Sequence, residues 1–152
     1  MELVALFNAS GFITSGSCEG HVSRTSVGTP YIHVATPMVP FMMTNAQREA
    51  WWKTQRKRGT PGFRYREIFL ALYGLLDEFG EHQARQHRST SFGARLIVSQ
   101  MGDTMRIRCA VEDGIDHFTV KRARAFAIEA QQNFQDLAAF MLKRFLAPTA
   151  RH

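Results

Sequence analysis

The sequence predicts one α+β domain, a small and mostly antiparallel sheet with a C-terminal hairpin packed against three or four helices, the last of them long. Three observations carry this. Residues 95 to 111 contain two runs that alternate apolar and polar side chains around Gly102-Asp103, the pattern of a two-residue hairpin. Residues 119 to 146 repeat apolar side chains at spacings of three and four, the period of a helix face. The chain has 152 residues, the usual size of one domain and enough to bury about two thirds of the surface its unfolded form exposes. Residues 1 to 147 are expected to form that domain, with 148 to 152 as a flexible tail.

Taken in order, residues 2 to 10 predict a short helix with Leu3, Leu6 and Phe7 on one face, ended by Gly11, which tolerates positive φ. Phe12-Ile13-Thr14 reads as a buried strand, and the Ser- and Gly-rich stretch from Ser15 to Thr29 as mostly loop. Tyr31 to Ala35 is a second strand, stopped by Thr36-Pro37. Thr44 followed three residues later by Gln47 is a capping box, and its helix is expected to run to about Arg58, before Gly59 and Pro61. A third helix spans about Pro61 to Gln86 with Ile68, Leu72, Leu75, Leu76 and Phe79 on its apolar stripe, and Gly74 inside it marks a place of close packing. In the hairpin, pairing Met101 with Thr104 puts Leu96, Val98, Met105, Ile107 and Cys109 on the core face. Ile97, Ser99, Arg106 and Arg108 then lie on the other face. The last helix aligns Val120, Ala123, Ala127, Ala130, Phe134, Leu137 and Met141, and Phe126, Phe140 and Phe145 widen the stripe.

Composition narrows the function classes. Hydrophobic residues make up 45% and charged residues 21% of the chain, near globular averages, so neither a disordered nor a membrane-embedded protein is expected. No apolar run approaches the roughly 18 residues that would span a bilayer, and the first residues lack a basic region and a cleavage site, so a cytoplasmic location is expected. Cys18 and Cys109 are too few for a disulfide framework and are expected as free thiols. The net charge of +6 comes mostly from residues 41 to 66, where Arg48, Lys53, Arg56, Lys57, Arg58, Arg64 and Arg66 face only Glu49. Such a patch favours an anionic partner.

The sharpest feature is Ser15-Gly16-Ser17-Cys18-Glu19-Gly20-His21, which combines hydroxyls, glycines, a thiol and an imidazole directly after an apolar strand. As a loop, its backbone N–H groups with the Ser15 and Ser17 hydroxyls could hold an anion. Cys18 and His21 could act as nucleophile and base, with Glu19 or His33 orienting the imidazole. The Cys-x-x-His spacing also suits one edge of a zinc site, completed from His33, His117 or Cys109, although Cys109 faces the core and no metal is assigned. Alternatively Gly16 and Gly20 shape a tight connection, Cys18 packs as a small apolar residue and His21 is solvated. No cofactor follows from these residues.

Two groups of cations could meet phosphates. Trp51-Trp52-Lys53-Thr54-Gln55-Arg56-Lys57-Arg58 mixes aromatics with positive charge, as in surfaces that stack bases. Cations at a helix C-terminus also complement the macrodipole, and at least one of the two Trp rings is expected to face the core. Lys121, Arg122 and Arg124 begin the last helix, where positive charge opposes the macrodipole, so with Arg106 and Arg108 they read as an anion-binding surface or as partners of Glu112, Asp113 and Asp116.

The string Leu6-Phe7-Asn8-Ala9-Ser10-Gly11-Phe12-Ile13-Thr14-Ser15-Gly16-Ser17-Cys18-Glu19-Gly20-His21 resembles the start of the wybutosine-synthesis tRNA methyltransferase family, in which a helix ending in Asn leads to a strand and a Thr-Thr-Ser-Ser-Cys-Ser-Gly-Arg loop. Asn8, Thr14, Ser15, Ser17, Cys18 and Gly20 match, Gly16 is an insertion, and Glu19 and His21 stand where that family has Ser and Arg. The resemblance covers about 16 residues and implies S-adenosylmethionine-dependent methylation of a tRNA base. Taken together, the sequence reads as a small basic protein that binds nucleic acid, RNA in the first place, or another anionic ligand, with RNA modification as one outcome. In that reading Ser15, Ser17, Glu19, Gly20 and His33 line the ligand, and Cys18 and His21 do any chemistry. Lys53, Arg56, Lys57, Arg58, Arg106, Arg108, Lys121 and Arg122 contact phosphate. The competing reading is a noncatalytic interaction module that forms a homodimer or docks on an acidic protein.

Overall fold

A computed structural model describes residues 2–23, 27–40, 43–86, 95–101, 103–110 and 118–146. The elements are α1 (Glu2–Ala9), β1 (Thr14–Cys18), β2 (His21–Val22), β3 (Val27–Gly28), β4 (Tyr31–Ala35), α2 (Asn45–Thr54), α3 (Pro61–Arg85), β5 (Leu96–Met101), β6 (Thr104–Cys109) and α4 (Val120–Leu146). Together they make the expected small α+β domain with a long last helix.

Four strands form an antiparallel sheet in the order β1-β4-β6-β5, and β2 and β3 form a separate two-stranded ladder. The hairpin has the expected register, Met101 opposite Thr104 and Leu96 opposite Cys109. β4 inserts between β1 and β6, with Tyr31 opposite Arg108 and His33 opposite Arg106. Because side chains alternate along each strand, Ile32, Val34, Met105, Ile107 and Cys109 all point to one side and are buried. Helices cover that side: Phe7 from α1, Leu72 and Phe79 from α3, and Phe126, Leu137 and Met141 from α4 complete the core. Gln83 of α3 donates to the buried Asn133 of α4 (3.1 Å), which hydrogen-bonds the Cys109 thiol, so a polar thread ties both long helices to β6.

The local signals act as expected at several boundaries. Gly11 ends α1 with φ 87°. The Thr44 hydroxyl accepts the Gln47 N–H (3.3 Å) while the Gln47 carbonyl oxygen accepts the Thr44 N–H (3.0 Å), a complete capping box.

Six expectations need correction. The stretch from Ser15 to Cys18 is strand, not loop, because it pairs with β4 from Gly16–His33 to Cys18–Tyr31, and two further short strands follow before Thr29. Ile13 is 71% exposed instead of buried: its carbonyl accepts the Ala35 N–H (2.7 Å), but its side chain points to solvent. α2 stops at Thr54, because the Gln55 side chain reaches forward to accept the Gly62 N–H (3.0 Å) and the chain turns there; Arg56, Lys57 and Arg58 therefore lie beyond the helix. Gly74 marks no close packing, since a Cβ there would meet nothing within 4 Å. Val120 (65% exposed) and Phe145 (47%) leave the apolar stripe of α4, whose core contacts begin at Phe126. Trp52 packs on Tyr65 at the start of α3 with Arg66 over its ring, and both Trp rings are half-buried outside the main core. His117, the acidic residues 112, 113 and 116, Gly102 of the hairpin turn and the tail from 148 to 152 lie outside the described residues.

Candidate functional site

The segment from Ser15 to His21 is an edge strand, a turn and the start of the small ladder. An extended strand sends successive N–H groups to opposite sides, so Ser15 to Cys18 do not form the concave anion loop expected of them. The turn closes when the Gly20 N–H donates to Cys18 Sγ (3.4 Å) and Gln131 of α4 donates to the Glu19 carbonyl (3.3 Å). Gly20 has φ 79°, and a Cβ there would lie 3.0 Å from the Gly28 carbonyl and from Pro30. Only glycine fits that corner. His21 opens the other sheet, its ring lying where a Gly28 Cβ would come within 2.4 Å, so the turn assigns Cys18 and His21 to different sheets. Ser15 and Ser17 are exposed. Ser17, Cys18, Glu19 and Gly20 border a cleft of about 530 Å³ closed by Leu3, Phe134, Ala138 and Leu142. Among the described residues no three His, Cys, Asp or Glu side chains gather as metal ligands.

His33 belongs to a different constellation, on the sheet face turned away from the helices. The strand register places Cys18, Tyr31, His33, Arg106, Arg108, Ile97 and Ser99 there, all half-buried. The Tyr31 and His33 rings stack with centroids 4.7 Å apart and planes 29° from parallel. The Arg106 guanidinium lies over the Tyr31 ring, 4.3 Å from its centroid. Arg108 is held by the Ser99 hydroxyl (3.4 Å) and the Cys109 carbonyl (3.4 Å). Gly16, opposite His33, leaves room beside the imidazole, where a Cβ would sit 3.5 Å from Nδ1. Burial, and then the charge of Arg106, holds the His33 pKa below its ordinary value. Two buried polar atoms of this cluster, His33 Nε2 and Arg106 Nε, have no hydrogen-bond partner among the described residues. Such atoms are uncommon in folded proteins.

The other cations lie elsewhere. Those after α2 sit at the corner where Gln55 and Trp52 dock on the first turn of α3, and Arg56, Lys57 and Arg58 are exposed there. At the start of α4 the Arg122 guanidinium lies 4.5 Å over the Phe118 ring and Arg124 donates to the Ser23 carbonyl (3.0 Å), so part of this charge has a packing role; Lys121 is exposed. Tyr31 and Ser99 were not singled out from sequence as site residues. The signal that finds them is the alternation in Tyr31-Ile32-His33-Val34, matched to that in Met105-Arg106-Ile107-Arg108.

No protein-family model, curated protein or solved structure matches the chain. The fold and the sheet face are therefore what speak to function.

Proposed function

We propose that this protein binds single-stranded RNA on the face of its four-stranded sheet that is turned away from the helices. The observation that carries the reading is the Arg106–Tyr31–His33 layer, with Arg106 Nε and His33 Nε2 buried and unpartnered among the described residues. A pre-formed stack of planar side chains can receive an unpaired base on its outer member, with Tyr31 holding the stack together. With Arg106 Nε buried, the terminal N–H groups of its guanidinium are the ones that would meet phosphate. Arg108, fixed by Ser99, adds a second cation one strand alternation away. Exposed Lys121 supplies further positive charge within the basic balance of the chain.

The test is fluorescence anisotropy of a labelled oligouridine of about 10 nucleotides, titrated between about 50 and 200 mM salt. Affinity should fall as salt rises, Arg106→Ala should reduce the salt slope by about 1, and Tyr31→Ala should cost about 1–3 kcal/mol. No binding at low salt, or binding unchanged by both substitutions, refutes the reading. Equal affinity for the matching DNA would widen the ligand to single strands of either kind.

A further inference from the structure

The outer face of α3 is apolar where a surface helix should be polar. Leu70 is 67% exposed, Tyr73 61% and Phe69 37%, and Ala71 beside them is also exposed. One turn after Leu70 the helix carries Gly74, and a Cβ built there meets no atom within 4 Å. Glycine inside a 25-residue helix is unfavourable unless its missing side chain is used, and nothing in the described residues uses it. The same notch opens into a groove of about 520 Å³ between α3 and the end of α4, lined by Leu70, Leu75, Met141 and Phe145 and bordered by the Glu78–Arg144 ion pair.

We infer that this face is where a second copy of the chain packs, α3 against α3 in antiparallel array. Two features of the helix select a copy of itself over any other partner. First, a protruding Leu70 and a vacant Gly74 lie one turn apart on one side. An antiparallel pair with its two-fold axis level with Leu72 sets Leu70 of each copy into the Gly74 notch of the other, an isologous contact in which the same two features serve twice. Second, the charges are polarised along the helix. The half before Leu70 carries Arg64, Arg66 and Glu67, a net positive charge, and the half after Tyr73 carries Asp77, Glu78, Glu81 and Arg85, still a net negative charge although Glu81 pairs with Arg85 and Glu78 with Arg144. Antiparallel packing sets the positive half of one copy against the negative half of the other, whereas a parallel pair would stack like on like. At 1.5 Å per residue the helix is about 37 Å long, enough for the contact to extend through both charged halves. This surface is on the helical side of the sheet, away from the face with Tyr31 and Arg106, and stands or falls independently of the RNA reading.

Sedimentation equilibrium from about 1 to 100 μM tests it. The wild-type chain should be a dimer in that range. Gly74→Leu fills the notch, and its Cβ has open space among the described residues, so it should keep its helical circular dichroism while weakening association by about tenfold or more. Leu70→Ser, at an exposed position, should do the same. A wild-type chain that stays monomeric at the highest concentration overturns the proposal, and so does a dimer that both substitutions leave intact.

Discussion

Replacing Gly62 by Ala should destabilise the protein even though it removes a glycine from a helix. In the absence of neighbours the change would gain up to about 1 kcal/mol from helix propensity. Gly62, however, is the second residue of α3 and is where α2 docks. A Cβ there would lie 2.5 Å and 2.7 Å from Cβ and Cγ of Gln55 and 2.9 Å from Cζ3 of Trp52. These are backbone-proximal atoms of Gln55, not the end of a flexible chain, so the corner must open. Overpacking of this kind costs about 1–3 kcal/mol. Opening also breaks the bond from the Gly62 N–H to Gln55 Oε1 (3.0 Å), and a buried donor left without an acceptor costs about 1–3 kcal/mol more. The net loss is about 1–5 kcal/mol after the propensity gain is subtracted. Both tryptophans of the chain, Trp51 and Trp52, are in α2, so urea unfolding followed by Trp fluorescence reports on this corner and circular dichroism on the whole. The fluorescence midpoint should shift to lower urea by at least as much as the dichroism midpoint. An unchanged or higher fluorescence midpoint would refute the reasoning. Since the corner carries Arg56, Lys57 and Arg58, oligouridine affinity measured under folded conditions also shows whether these cations add to the sheet face.

Binding of oligouridine should strengthen as pH falls through the ordinary histidine range. The His33 pKa is held below 6.5 in the free protein, where it shares the sheet face with Arg106, Tyr31 and Arg108, and a phosphate would pull a proton onto it. The gain is at most about tenfold per pH unit for one proton, and His33→Gln should abolish this pH dependence. The sign for folding is the opposite: a depressed histidine contributes stability that is present above 6.5 and lost as pH falls, which pH-dependent urea melts of wild type and His33→Gln would resolve. A thiol reagent in excess should modify Cys18 and spare Cys109, whose pKa burial pushes up to about 12; two thiols reacting at one rate in native protein would contradict the fold. Leu137→Ala, at a fully buried position between α4 and the sheet, should cost about 2–5 kcal/mol in urea unfolding.

What the sequence discloses follows from where its signals are local. The β5–β6 hairpin is legible to the residue because both strands alternate and the turn between them is two residues long. α3 and α4 are legible because their apolar spacing persists over many turns. β1 is not, since Thr14-Ser15-Gly16-Ser17-Cys18 has the composition of a loop and becomes strand only by pairing with β4; tertiary context overrides propensity there. The site was half legible. Arg106 and Arg108 follow from the hairpin's alternation, but their meeting with Tyr31 and His33 depends on β4 lying beside β6, a contact between residues about seventy positions apart that no local pattern specifies. The end of α2 is not legible because the feature that stops it is the reach of Gln55 to Gly62, seven residues ahead.

The strand order β1-β4-β6-β5 also bears on how the chain emerges during synthesis. β4 can pair with β1 early, but its other edge stays bare until residues 104 to 109 have been made, after α2, α3 and β5. Even then Ile32, Val34, Met105 and Ile107 have no cover from Phe126, Leu137 and Met141 until α4 follows. A nascent or truncated chain that stops short of Val120 therefore displays a sheet whose apolar side is covered by α1 and α3 alone, and a partly exposed core of this kind favours aggregation. Folding is committed late, by the last helix, and a chaperone that holds the first hundred or so residues has a physical reason to release them only when that helix arrives.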